Sequence, residues 1–340
     1  MICVHEFTIQ GGPAMNSRDY IKTPYNHPFI AQRADPYILH HTDGMYYFTV
    51  SVPEYDRIVL RRASSLKGLQ DAEEHTVWTR HKDGIMSVHI WAPEFHYVDG
   101  NWYIYFAAGD IDDIWAIRPY VLRCEGNDPV RDKWKEMGTP GRADDFSFND
   151  FSLDMTVFSH RGRQYAVWAE KVNIGKKISN LYIAEMASPV QMKTPQVLLS
   201  FPSYDWEQDG FWVNEGPAFL VGEDHVYLTY SASATGACYC MGLLTADASA
   251  DLLDPNSWKK SRWPVLQTDE TKGLYGPGHN SFFRDEQGNT VMAFHARPYD
   301  EIIGDPLYDP NRHCYLMQVE WKDDLPVFSY DRMMLNDCDK

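Results

Sequence analysis

The chain repeats itself. Five stretches share one pattern: a polar residue at the head of a short apolar strand, a turn containing Gly or Asp, then an alternating aromatic strand. In order they read ADPYILHHTDGMYYFTVS from Ala34, WAPEFHYVDGNWYIYFAAG from Trp91, LDMTVFSHRGRQYAVWAE from Leu153, NEGPAFLVGEDHVYLTYSAS from Asn214 and GHNSFFRDEQGNTVMAFHAR from Gly278. A period of roughly sixty residues holds one four-stranded antiparallel sheet with its connections, and five such sheets arranged radially form a propeller. Asp43-Gly44, Asp99-Gly100 and Arg161-Gly162 fall where a hairpin needs residues tolerant of positive φ. Further outer strands are expected in RIVLRRAS from Arg57, AIRPYVLRC from Ala116, SNLYIAEM from Ser179 and YCMGLLTA from Tyr239, while HCYLMQVEW from His313 completes the last blade. The fold expected is all-β, a single five-bladed propeller over 26–340, with 1–25 a poorly defined arm in which Met15 is an alternative start.

The first strand of each blade lines the central channel of a propeller, so the heads of the repeats converge there. Those heads are Asp35, Glu94, Asp154, Glu215 and His279. Any one of them alone reads as a turn former, but four carboxylates and a histidine at one channel mouth repel one another unless they bind something or share protons. Crowded carboxylates split their pKa values, which suits paired acid and base chemistry. One protonates a glycosidic oxygen while another deprotonates water, and a third tunes and orients. Trp91 either plugs the space between blades or offers a stacking face to a sugar. His279 suits a ligand or hydrogen-bond anchor better than a proton carrier.

Composition narrows the partners. A formal net charge of −17 argues against nucleic acid and against an anionic membrane. No stretch is apolar enough to span a bilayer and no signal peptide is visible, so a cytoplasmic location is expected. Cys3, Cys124, Cys238, Cys240, Cys314 and Cys338 lack metal-ligand spacing and are expected as reduced thiols.

ADPYI, LDMTVF and NEGPAF resemble the three catalytic signatures of glycoside hydrolase family 43, and WAPE and GPGHNS are similar to further motifs of that family. The resemblance covers nearly the whole chain. It implies that Asp35 is the general base, Glu215 the general acid, and Asp154 the carboxylate that raises the acid's pKa and orients it. It also implies that His279 helps bind a calcium or sodium ion in the channel, with no organic cofactor. The longer string PEYDRIVLRR, HIWAPEFHYVDGNWYIYFAAGD, YSASAT and GDPLYDPNRH is similar to the branch of exo-acting arabinofuranosidases that trim α-1,5-linked arabinan and arabino-oligosaccharides. In that branch Arg297 would contact the active-site carboxylates, and Trp91, Glu94, Asn180, Phe211, Trp212 and Tyr275 would shape the sugar pocket, ordinary loop packing being the alternative. The competing readings are a β-xylosidase, a fructan-cleaving hydrolase on a similar frame, and a non-catalytic propeller that binds carbohydrate or protein. Oligomeric state is left open.

Overall fold

The computed structural model describes residues 25, 27–172 and 178–334. The arm before Tyr25, with Met15 and Cys3, lies outside the described residues, as does Cys338. Five antiparallel sheets follow one another along the chain. Blade I is Ala34–His40, Tyr46–Ser51, Arg57–Ala63 and His75–Thr79; blade II is Ile85–Val98, Asn101–Asp110, Asp113–Cys124 and Trp134–Gly138. Blade III runs through Ser152–His160, Arg163–Val172 and Ile178–Ser188, whose outer edge pairs with Gln191–Met192 and Val197–Ser200. Blade IV is Asn214–Val221, His225–Ala232, Cys240–Asp247 and Lys259–Lys260. Blade V has three paired strands, Tyr275–Arg284, Thr290–Arg297 and His313–Gln318.

The outer edge of blade V is finished from both directions. Ile30 exchanges two backbone hydrogen bonds with Cys314, and Met333 bridges to Met317. Residues ahead of the first repeat thus close the ring against the last, which removes an open sheet edge.

Hairpin chemistry follows the sequence. Asp99-Gly100 and Arg161-Gly162 have positive φ at both positions, as a two-residue turn of the primed type needs. At Asp43-Gly44 only Gly44 is left-handed, because the loop is longer: Gly44 N–H reaches His41 O and His41 N–H reaches Met45 O. The apolar faces meet between blades. Phe95 stacks on Trp102 at 4.7 Å within one core that joins blades I and II, and Phe158 lies parallel to Phe219 at 3.7 Å where blade III meets blade IV. Cys124, Cys238, Cys240 and Cys314 are free thiols. Among the described residues no helix is long and apolar enough to cross a membrane.

Candidate active site

Each inner strand breaks its pairing at the same place. Strand pairing slips between Ala34 and Tyr37, Trp91 and Glu94, Leu153 and Thr156, Glu215 and Ala218, and Gly278 and Ser281. Inside each slip one residue is left-handed: Asp35 at φ 52°, Ala92 at 45°, Asp154 at 55°, Gly216 at 52° and His279 at 43°. Four of the five are not glycine, so the conformation is held by its surroundings at a cost of order 1–3 kcal/mol each. Side chains from the neighbouring blade do the holding. Ser51 Oγ accepts from Ala92 N at 2.7 Å, Ser231 Oγ from His279 N at 2.7 Å, His295 Nδ1 from Asp35 N at 3.2 Å, and Asp154 Oδ2 from Gly216 N at 3.0 Å. Ser51, Ser231 and His295 occupy equivalent places, each opposite the first residue of its own slip.

The true phase of the repeat is therefore Asp35, Ala92, Asp154, Gly216 and His279. This corrects the reading that all five polar heads are equivalent. Glu215 stands one residue before the kink and Glu94 two residues after it. Glu94 consequently turns to His96 Nε2, 2.8 Å away, and does not line the cavity that holds the other carboxylates.

That cavity, about 360 Å³, is lined by Asp35, Asp154, Glu215, His279, Arg312 and Tyr239 among others. Its size suits a small ligand. Two side chains donate to the Asp35 carboxylate: Ser51 Oγ to Oδ2 at 2.5 Å and Arg312 Nη1 to Oδ1 at 3.3 Å. His295 Nδ1 and His279 Nδ1 lie 3.2 and 3.4 Å from Oδ1. Burial alone would raise this carboxyl, but the Arg312 guanidinium, with His279 and His295, holds it well below the usual carboxylate range. The two imidazoles stay neutral because burial disfavours their charge, His295 being pushed down to about 3. Arg312 is thus the one full positive charge that touches Asp35 among the described residues. Its Nη2 donates to Tyr55 Oη at 2.7 Å.

Glu215 and Asp154 are shifted the opposite way. Burial pushes Glu215 up to about 7; the Tyr239 hydroxyl, which donates to Oε1 at 2.8 Å, works against this and the Asp35 charge works with it. Burial, then the negative charges of Glu215 and Asp35, hold Asp154 well above the ordinary range. One carboxylate kept ionised beside two kept toward protonation is the division that acid and base roles require.

The remaining residues divide. Trp91, stacked on His89 at 4.5 Å, and Phe211, 63% exposed, both line the cavity. Asn180, Trp212 and Tyr275 do not. Asn180 is on the third strand of blade III opposite Glu170, and Tyr275 pairs with Arg297. Arg297 is a correction: it touches none of the carboxylates named above. Its guanidinium is committed to Thr235 O at 2.7 Å, Pro306 O at 2.8 Å and Asp309 Oδ1 at 3.2 Å, tying together two loops of the cavity wall. The contact expected of it is made by Arg312, from the PNRH segment. Sequence reasoning also passed over Ser51, Tyr239 and His295, whose one signal was their place near the end of a second strand or the start of a third. As for an ion at His279, its Nδ1 faces Asp35 and Asp154, and among the described residues no three His, Cys, Asp or Glu side chains are grouped to hold a metal.

A five-bladed propeller whose axial cavity holds one carboxylate shifted down and two shifted up fits the paired-carboxylate chemistry of glycoside hydrolases. The chain belongs to the glycosyl hydrolases family 43, whose profile matches residues 25–326. It is 49% identical over 304 residues to a Streptomyces avermitilis protein named extracellular exo-alpha-(1->5)-L-arabinofuranosidase, covering 88% of this chain. The chain spans 62% of the length of that relative. A Streptomyces chartreusis protein of the same name is 49% identical over 284 residues, 83% of this chain and 85% of that one. The crystal structure of an alpha-L-arabinofuranosidase from Lactobacillus brevis superposes with a TM-score of 0.83 at 49% identity, covering 89% of this chain and 95% of the other. Both Streptomyces relatives carry the word extracellular, which gives no support to the cytoplasmic location expected from the sequence.

Proposed function

We propose that the protein is an inverting, exo-acting α-L-arabinofuranosidase that releases single arabinofuranose units from α-1,5-linked arabinan or arabino-oligosaccharides. The observation that carries the chemistry is that Asp35 and Glu215 line one cavity in surroundings that shift them in opposite directions, Asp35 down beside Arg312 and Glu215 up by burial. The sugar is inferred from relatives at 49% identity that bear that activity in their names.

In the step proposed, a water held by Asp35 attacks the anomeric carbon and gives that carboxylate its proton. The carbon–oxygen bond to the leaving sugar breaks on the opposite face as Glu215 delivers its proton to the departing oxygen. One bond forms as one breaks, so the configuration inverts. Asp154 contributes through the Gly216 N–H, which fixes the backbone beside the acid. Arg312 keeps Asp35 ionised for its task. No nucleic acid or membrane enters this scheme.

Product analysis on linear arabinan tests the reading. Arabinose alone from the first minutes supports exo cleavage, whereas longer fragments appearing first would overturn it. Xylose from xylo-oligosaccharides, with arabino-oligosaccharides untouched, would replace the sugar and favour the β-xylosidase.

A further inference from the structure

We propose that Tyr239 is the positioning residue for the proton donor, its phenol holding Glu215 Oε1 so that Oε2 is turned to the departing oxygen, and that Gly278 is glycine in order to seat its ring. The inference rests on Glu215 acting as the acid. Tyr239 is 1% exposed and its hydroxyl lies 2.8 Å from Oε1, the side-chain hydrogen bond Glu215 makes among the described residues. Asp154, the carboxylate expected to orient the acid, reaches the Gly216 N–H instead. Backbone and side chain of the donor are thus held by different residues.

The ring of Tyr239 is wedged. One face lies parallel to His295, with centroids 5.7 Å apart and planes at 8°. Against it also runs the inner strand of blade V: a Cβ on Gly278 would overlap the Cε1 and Cδ1 atoms of Tyr239 and sit 2.8 Å from Ser231 Oγ. Gly276, at φ 59°, is required for a separate reason, since a Cβ there would overlap the carbonyl oxygen of Gly236, in the turn that presents Tyr239. The GPGH segment therefore serves the acid on blade IV as well as carrying His279. Because His295 also accepts the Asp35 N–H, the tyrosine ring packs on the residue that fixes the backbone of the base. Burial raises the phenol well above its ordinary range, so it keeps its proton and donates.

The charged and titratable groups that face Glu215 are Tyr239 from blade IV, Asp35 from blade I, Arg312 from blade V and Asp154 from blade III; Tyr239 itself also faces Ser231 and His295. A phenol that donates to a carboxylate favours its ionised form. Tyr239→Phe keeps the ring and removes that bond. The basic limb of kcat/KM should then move up by about half a unit to one unit. Turnover of arabino-oligosaccharides should fall about tenfold, while a dinitrophenyl arabinofuranoside, whose leaving group needs no proton, should be hydrolysed at close to the wild-type rate. Gly278→Ala, which displaces the ring, should give the same selective loss, and melting curves of both variants separate it from unfolding. Equal losses on the two substrates with an unmoved basic limb, or no loss, overturn the proposal. Glu215→Gln tells the two inferences apart: if it keeps full activity on oligosaccharides the acid assignment fails, and if it loses that activity while Tyr239→Phe shows no selectivity only the role of Tyr239 fails.

Discussion

Arg312→Met removes the one full positive charge that touches Asp35 and leaves the carboxylate facing Asp154, Glu215 and two neutral imidazoles. At the observed 3.3 Å the attraction is about 5 kcal/mol for an effective dielectric near 20. Losing the guanidinium also relieves its own burial, so the net cost falls in the range of about 3–5 kcal/mol seen when one partner of a buried pair is deleted. At ~1.4 kcal/mol per unit this raises the Asp35 pKa by about 2 to 4 units. The acid limb of kcat/KM, which lies below the ordinary carboxylate range in the wild type, then climbs toward the basic limb that Glu215 sets at about 7. The bell narrows and its peak drops. The assay is kcat/KM on an arabino-oligosaccharide across the acidic and neutral range, with melting temperatures measured alongside. Stability must move in step: a depressed carboxyl stabilises the fold above its unfolded pKa and loses that contribution as pH falls through its folded pKa. The melting deficit of the variant is therefore largest near neutral pH and shrinks in acid. An acid limb that stays within a few tenths of a unit of wild type would refute the account of Asp35.

Ser51→Ala deletes a hydroxyl that serves both Asp35 Oδ2 and the Ala92 N–H, leaving a buried donor unpaired. A loss of about 1–3 kcal/mol by denaturant melts is expected, with an upward shift of the acid limb. Arg297→Met should lower the melting temperature and raise KM, because two wall loops lose their clamp, yet leave both limbs of the pH profile in place. In the wild type, activity should fall as Glu215 loses its proton, on a basic limb near its value of about 7, and Asp154→Asn, which keeps a side-chain oxygen for the Gly216 N–H, should not raise that limb. Rate profiles against pH check both statements.

Much of this is legible in the sequence alone. Period, hairpin turns and outer strands come from side-chain alternation and turn chemistry, which are local, and local signals survive in one sequence. Asp35 and Asp154 were found by the same route because both sit on the repeated kink. The pattern misled where phase mattered: WAPE and NEGP look alike, yet the left-handed residue is Ala92 in one and Gly216 in the other, so the two glutamates diverge. The hydrogen bonds that hold this phase come from the neighbouring blade, and its one sign within the strand is the proline that follows Asp35, Ala92 and Gly216. Arg312, Tyr239, Ser51 and His295 were passed over for a related reason. Arg312, Ser51 and His295 reach across a blade boundary, at sequence separations of 277 for Arg312 to Asp35 and 260 for His295 to Asp35, while Tyr239 meets Glu215 within blade IV, 24 residues away, and no periodicity links such pairs. Arg297 and Arg312 offered two arginines near the end of the chain, and only the loop contacts decide which one meets the base.

The most direct test of the central claim is the anomeric form of the first product. Purified protein is mixed with a linear arabino-oligosaccharide and the released sugar followed by proton NMR before mutarotation. Opposed roles for Asp35 as base and Glu215 as acid predict β-arabinofuranose from the α-linked substrate, with the α-anomer growing in only later. The α-anomer as the first product would mean a retaining reaction through a covalent intermediate, and would contradict the assignment of Asp35 as a base acting on water.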